Sequence, residues 1–209
     1  SSLSGQCSSE DVLIVCNDGF KKMEVIDDGK ALKCECGVIG SDANDLLKPY
    51  NRKIGPDPAT LATALVGGIL NNNSSGMCCG TAQNSYKTIR SIRVVLLDGS
   101  ILDTSDQKSI DQFLKEKPQM VEDILQLRKD ILADEELTHL IHHKYKIKNT
   151  TGYGLNSLVD FEDIIDIINH LFIGSEGTLG FLSEIVYNTV EDVPYKGCGL
   201  MFFKTLNDA

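Results

Sequence analysis

The chain has 209 residues, of which 42% are hydrophobic and 24% charged, a balance typical of a soluble globular protein. The formal net charge of −10 argues against nucleic acids and anionic membrane surfaces as partners, because both are bound through basic patches. No apolar run approaches the ~20 residues of a membrane span. No signal peptide is recognisable, so we expect a cytoplasmic location.

Seven cysteines are present, and their spacings fit no metal framework. Cys34 and Cys36 are separated by one residue, and Cys78 and Cys79 are adjacent. In a cytoplasmic protein these residues are expected to be reduced thiols.

The first part of the chain is predicted to be rich in strands. Short apolar runs predict strands at 12–16, 23–26 and 31–38, the first of them buried. The last two are joined by a hairpin turn at 27–29, and a short helix is predicted at 41–48, ended by Pro49.

A glycine- and asparagine-rich stretch lies near the middle of the sequence. Pro56 and Pro58 forbid a helix or central strand and predict a stiff bend. Residues 67–80 follow, with the sequence GGILNNNSSGMCCG, and no strong periodic element is visible there. Such a tract alone is typical of a surface loop. A second glycine-rich stretch at 174–180, GSEGTLG, favours instead a pair of ligand-binding loops.

The remaining elements complete a mixed α+β pattern. Residues 92–103 carry a hairpin signal around Asp98-Gly99. Helical periodicity predicts four helices after Asp106, the second beginning at Pro118. A strand is predicted at the end of 178–190, so that most strands come early and most helices late.

Five motifs then occur in order: SSLSGQ, KIGPDPAT, GGILNNNSSG, KNTTGYGL and GSEGTLGFLSE. In this order and spacing they resemble the FAD-binding domain of the vanillyl-alcohol-oxidase superfamily, closest to the FAD-linked D-lactate, glycolate and D-2-hydroxyglutarate dehydrogenases. The resemblance implies an α+β FAD-binding type-2 (PCMH-like) domain, truncated at its N-terminal subdomain. It places a partial FAD-binding domain at 1–192, with an incomplete pyrophosphate loop at its start. Residues 193–209 would begin the substrate domain, with its first strand at 197–209.

The resemblance also implies the cofactor contacts. The family positions that match in this sequence are Ser2, Leu3, Ser4, Gly5, Pro56, Asp57, Thr60, Gly67, Gly68, Asn72, Asn73, Ser74, Ser75, Gly76, Gly174, Ser175, Glu176, Gly177, Thr178, Leu179 and Gly180. Glycine-rich backbone suits a diphosphate in an acidic protein, and amides match the donors and acceptors of the flavin edge. The GxxGxxG of 174–180 is not the Rossmann fingerprint GxGxxG, so we expect FAD and no nicotinamide cofactor.

Several other residues attract attention. Lys148 and Tyr153 are candidates to line the cleft, whereas Gly154 stands where the family often has an acid. His139 and His170 are expected to be helix residues without partners, and His142 and His143 are expected to lie on a solvated helix face. Cys78 and Cys79 are expected to be small buried hydrophobes and not a covalent flavin link.

The expected function is oxidation of a D-2-hydroxy acid, with D-lactate as the leading substrate and the catalytic base in the substrate domain. The electron acceptor is not identified by the sequence. For the full-length protein the resemblance implies peripheral association with the respiratory chain at the inner face of the membrane. A non-redox transferase of the same fold, like alkyl-glycerone-phosphate synthase, and a fragment that binds no flavin are the alternatives.

Overall fold

A long strand near the end of the chain is the centre of an antiparallel sheet. The computed structural model describes residues 14–16 and 18–208. The strands are β1 (Met23–Ile26), β2 (Ala31–Glu35), β3 (Arg52–Ile54), β4 (Ile89–Val95), β5 (Ile101–Asp103) and β6 (Phe181–Glu191). Their order is β1-β2-β6-β4-β5, and β3 pairs with the last three residues of β6. The two hairpins of the sequence analysis, β1–β2 and β4–β5, are therefore confirmed.

Helices cover the sheet and form a lobe beside it. They are α1 (Gly40–Leu47), α2 (Val66–Asn71), α3 (Ser85–Thr88), α4 (Gln107–Glu116), α5 (Pro118–Ala133), α6 (Glu135–Lys144), α7 (Ser157–Asp160) and α8 (Ile164–Leu171). Asp106, Asp134 and Asp163 cap α4, α6 and α8 by accepting backbone N–H groups, as N-cap residues do. The helix at 41–48 and the four helices after Asp106 are confirmed.

The hydrophobic core lies between the sheet and helices α1, α2 and α8. Leu32 of β2 and Ile185 of β6 are fully buried and pack in one cluster with Leu47 and Leu70. Tyr187 of β6 is also fully buried, and its hydroxyl is 2.8 Å from Ser85 Oγ, which satisfies both polar groups. A smaller cluster, which includes Ile131 and Ile141, joins helices α5 to α8.

Three expectations were wrong. Residues 14–16 form no strand, and Ile14 and Val15 are about two-thirds exposed (64% and 65%). Gly67 to Asn71 belong to helix α2 and not to a loop. Residues 197–208 contain no strand, and Phe202 is 88% exposed. In each case tertiary contacts, or their absence, decided against the local pattern.

Three observations bear on the class of protein. Within the described ranges, no helix combines the length and apolarity needed to span a membrane. The same residues contain no cluster of side chains that could hold a metal ion. The six described cysteines are free thiols.

Candidate cofactor site

A groove of about 600 Å³ opens between α2, the end of β4 and the start of β6. Gly67, Gly68 and Asn71 line it from α2, and Gly177 and Gly180 line it from the loop before β6. The fold therefore brings together glycines from two stretches that lie about a hundred residues apart in the sequence.

Gly67 explains how α2 comes so close to the sheet. Its N–H donates to the carbonyl oxygen of Cys36 at 3.0 Å, and the N–H of Val66 donates to that of Val38 at 2.7 Å. A Cβ on Gly67 would lie 2.7 Å from Cys36 Cβ, which is closer than two carbon atoms can pack. The glycine is thus required for packing the helix, which positions the next residue, Gly68, at the groove.

The groove has unused hydrogen-bonding groups. Among the described residues, no acceptor is found for the backbone N–H groups of Gly68, Gly177 and Gly180. Asn71 Oδ1 is buried and has no donor within the same residues. Free backbone N–H groups form the kind of concave anion site that holds diphosphates. Asn71 could accept from a hydroxyl or N–H of the same ligand. These residues fit a dinucleotide cofactor.

The loop 174–180 is held in shape by hydrogen bonds within itself and to neighbouring segments. Ser175 Oγ donates to the carbonyl oxygen of Phe172 at 2.8 Å, and Thr178 Oγ1 donates to that of Ser175 at 2.6 Å. Gly174 has φ +86°, and a Cβ there would lie 2.4 Å from Gly152 O. Gly177 has φ +79°, and a Cβ there would lie 3.9 Å from Asn71 Nδ2, an ordinary van der Waals contact. The hydroxyls of this loop already donate to carbonyl oxygens of the protein, so the loop would contribute its backbone to a ligand.

Two of the predicted amide and hydroxyl residues connect the loops. Asn72 is buried; its Nδ2 donates to Glu176 Oε1, and its Oδ1 accepts from Ser74 Oγ at 2.6 Å. Asn73 Nδ2 donates to the carbonyl oxygen of Asn149 at 3.0 Å, on the side away from the groove. Ser75 Oγ makes no hydrogen bond to the described residues. The side chains of Asn72 and Asn73 link neighbouring segments, and neither they nor Ser75 line the groove.

Asp57 has a structural role in the same region. Its carboxylate accepts backbone N–H groups from Gly76 at 2.9 Å and from Cys78 and Cys79 at 3.2 Å. Burial raises the pKa of Asp57, but hydrogen bonds from Cys79 and Gly76 outweigh that effect and hold the pKa below its ordinary value. A Cβ on Gly76 would lie 1.9 Å from Asp57 O. This pair therefore fixes the turn at 76–79.

Other predicted contacts lie elsewhere. Pro56 is buried and does not line the groove, and Thr60 is exposed, its carbonyl oxygen accepting from Ala64 N at 2.8 Å. Leu179 packs against the hydrophobic core. Ser2, Leu3, Ser4 and Gly5 lie outside the described residues.

Lys148 and Tyr153 join the two glycine-rich stretches at their exposed side. The Lys148 ammonium donates to the carbonyl oxygen of Gly76, and the Tyr153 hydroxyl is 2.7 Å from Thr178 Oγ1. The segment 148–153 thus bridges the loops 72–76 and 174–180, although neither side chain lines the groove itself.

His170 was wrongly predicted to lack partners. It is 7% exposed, Nδ1 is 2.6 Å from the carbonyl oxygen of Asp166, and Nε2 is 3.1 Å from that of Tyr86. The ring stacks on Phe161 with 4.1 Å between centroids. Burial lowers the pKa of His170. The sequence signal that could have indicated its burial is its position in the last turn of α8, a largely apolar helix.

Two further sequence interpretations changed. Cys79 is buried as predicted, but Cys78 is exposed. Asn71 lines the groove, whereas the contacts implied by the resemblance begin at Asn72. Once α2 is known to run to Asn71, that residue lies one helical turn from Gly67 and Gly68, on the same face.

A glycine-lined groove with unsatisfied backbone donors, beside an antiparallel sheet covered by helices, has the chemistry to hold a nucleotide cofactor. The family model described as "FAD binding domain" matches residues 1–105, half of the chain. The chain belongs to this family, and its cofactor is FAD.

Curated relatives with similar sequences carry one name. The D-2-hydroxyglutarate dehydrogenase of Pantoea ananatis is 28% identical over 165 residues, covering 78% of this chain and 16% of that protein. Those of Haemophilus influenzae and Escherichia coli are each 26% identical, covering 75% and 73% of this chain. The chain spans about a sixth of the length of these relatives, 16% and 15% for the last two.

Solved structures of alkyldihydroxyacetonephosphate synthase are also similar. One of them has a TM-score of 0.46 and 17% sequence identity. The aligned region covers 82% of this chain and 22% of the synthase chain. This likeness is too weak to add to the assignment.

Proposed function

We propose that the chain is the flavin-binding portion of an FAD-dependent dehydrogenase that oxidises a D-2-hydroxy acid to the 2-oxo acid. The observation that carries the proposal is the groove, whose free N–H groups suit the diphosphate of the family's cofactor. The names of the curated relatives support the substrate class and favour D-2-hydroxyglutarate over D-lactate as the first acid to test.

In this proposal the backbone N–H groups of Gly68, Gly177 and Gly180 hold the diphosphate, and Asn71 Oδ1 accepts a hydrogen bond from the cofactor. Bound FAD supplies the two-electron acceptor for the oxidation. The other predicted positions in 56–76 and 174–180 act by shaping the loops. Hydrogen bonds between Asn72 and Glu176 and between Asp57 and Gly76 hold these loops together.

The proposal also assigns the chain's parts. Residues 1–192 belong to the flavin-binding domain, and residues 193–209 begin a substrate domain that would supply the carboxylate clamp and the base. The partners are then a small 2-hydroxy acid and an electron acceptor. An acidic chain with net charge −10 gives no support for nucleic acid as a partner.

The test uses the complete gene product, because the match to this chain covers only 16% of the relative from Haemophilus influenzae. We expect a yellow protein that releases FAD on denaturation. Under anaerobic conditions D-2-hydroxyglutarate or D-lactate should bleach the visible flavin absorbance, and the L isomers should do so far more slowly. Productive transfer needs the acid held in one orientation. A colourless protein that ignores FAD would refute the cofactor assignment. A yellow protein that stays oxidised with every acid would refute the reaction and favour the transferase alternative.

A further inference from the structure

A second cavity, of about 230 Å³, lies away from the groove. Its wall includes Asn73, Asn84 and Asn156, together with Tyr86 of α3 and Tyr145 after α6. It shares no lining residue with the groove. The volume is below the ~300–1,000 Å³ of drug-sized ligand pockets and suits a small polar molecule.

Two amide oxygens in this wall lack donors. Asn73 Nδ2 donates to Asn149 O, and Asn156 Nδ2 donates to Asp160 Oδ2 at 3.2 Å. These bonds fix which way each amide faces. Asn73 Oδ1 and Asn156 Oδ1 are then buried without a donor among the described residues. Asn156 is 7% exposed, so bulk water does not compensate. An unsatisfied buried acceptor is costly, and a ligand hydroxyl would satisfy it.

The same wall carries positive charge. Lys87 and Lys146 line the cavity, and neither forms an ion pair with any part of the chain that the structure describes. Asp160 is the carboxylate of the wall, and its Oδ2 already accepts from the Tyr86 hydroxyl at 2.8 Å and from Asn156. Two lysines against one carboxylate leave a local positive charge in a protein of net charge −10. Such a local field attracts a small anion.

We infer that this cavity binds a small hydroxycarboxylate. Its carboxylate pairs with Lys87 and Lys146, and its hydroxyl donates to the orphaned oxygen of Asn73 or Asn156. Asn84 adds a donor, since its Nδ2 has no acceptor among the described residues while its Oδ1 caps α3 at Lys87 N. The site is separate from the cofactor groove and does not depend on the proposed reaction.

The experiment measures binding of L-2-hydroxyglutarate to the complete gene product by calorimetry. The L isomer is chosen because the proposed function predicts little turnover of it. We expect saturable binding, and glutarate, which lacks the hydroxyl, should bind about tenfold more weakly or worse. Lys87→Met combined with Lys146→Met should weaken binding of the hydroxy acid about tenfold or more.

The matched control is Lys108→Met combined with Lys115→Met, which removes the same charge from exposed residues of α4 outside the cavity wall. Its affinity should stay within about twofold of wild type, the difference expected of a distant surface charge. Asn84→Asp keeps the cap acceptor but replaces the donor with a charge, and it should abolish binding in a folded protein. Equal binding of glutarate, unchanged binding in the lysine variant, or no binding in the wild type would each overturn the inference. None of these outcomes changes the flavin bleaching that is expected with the D isomer, so the proposed function is tested independently of this inference.

Discussion

The contact between Gly67 and Cys36 makes a quantitative prediction. In Gly67→Ala the new Cβ would lie 2.7 Å from Cys36 Cβ, 3.1 Å from Cys36 O and 3.3 Å from Cys36 Cα. Carbon atoms pack at about 3.5–4.0 Å, so α2 must shift outward by roughly 0.8 Å. Overpacking of this kind costs about 1–3 kcal/mol, and the helix preference of Ala over Gly returns about 0.5–1 kcal/mol. The expected net loss is about 1–2 kcal/mol.

For a chain of this length that loss corresponds to a fall in Tm of about 2–8 °C. Because α2 carries the N–H of Gly68 into the groove, the FAD affinity should also fall, by about tenfold. Thermal unfolding followed by circular dichroism and an FAD titration followed by flavin fluorescence measure the two effects.

Gly197→Ala is the control, since nothing lies within 4 Å of a Cβ there. Cys36→Gly removes the opposing Cβ, so the double variant should be more stable than the sum of the single changes by about 1 kcal/mol. If Gly67→Ala unfolds and binds FAD like wild type, the close-packing argument is wrong.

Three further variants test separate parts of the site. Gly177→Val places a branched side chain at φ +79°, at a strain of roughly 1–2 kcal/mol, and extends it into the groove. FAD retention should be lost with little change in far-UV circular dichroism, and retained flavin would contradict the groove assignment. The pKa of Asp57 is depressed, so its contribution is present above about pH 4 and is lost as pH falls through the folded pKa. Asp57→Asn should lower stability at pH 7 by about 1 kcal/mol and flatten the acid-side loss, as measured by urea unfolding. The pKa of His170 is also depressed, so stability is greatest above about pH 6.5 and declines as pH falls through the folded value. His170→Gln should flatten that slope, whereas the exposed His139→Gln should preserve it; equal slopes in the two variants would show that His170 does not titrate as its burial implies.

The roles of individual loop residues could not be predicted from local pattern. Asn72 and Asn73 are adjacent and chemically identical, yet one joins Glu176 and the other joins Asn149. Their neighbour Asn71 lines the groove. The side to which each amide turns depends on where α2 ends and on which loop packs against it. Those contacts come from residues 104 and 76 positions away, so no local window contains them.

Several features were determined by the sequence alone, because they depend on neighbouring residues. Hairpin turns, Pro118 at the start of α5 and the periodicity of α8 all act over a few residues, and all were found where predicted. The order of the five motifs was sufficient to predict the family and FAD.

The tertiary structure alone decided which groups are available to a ligand. Position 67 of α2 needs a glycine because Cys36 packs directly against it. His170 is buried because the rings of Tyr86 and Phe161 enclose it. The last strand, β6, lies at the centre of the sheet because β2 and β4 pair with its two edges, which places its side chains in the buried core. Burial and close packing depend on contacts between distant segments, and those contacts exist only once the chain has folded.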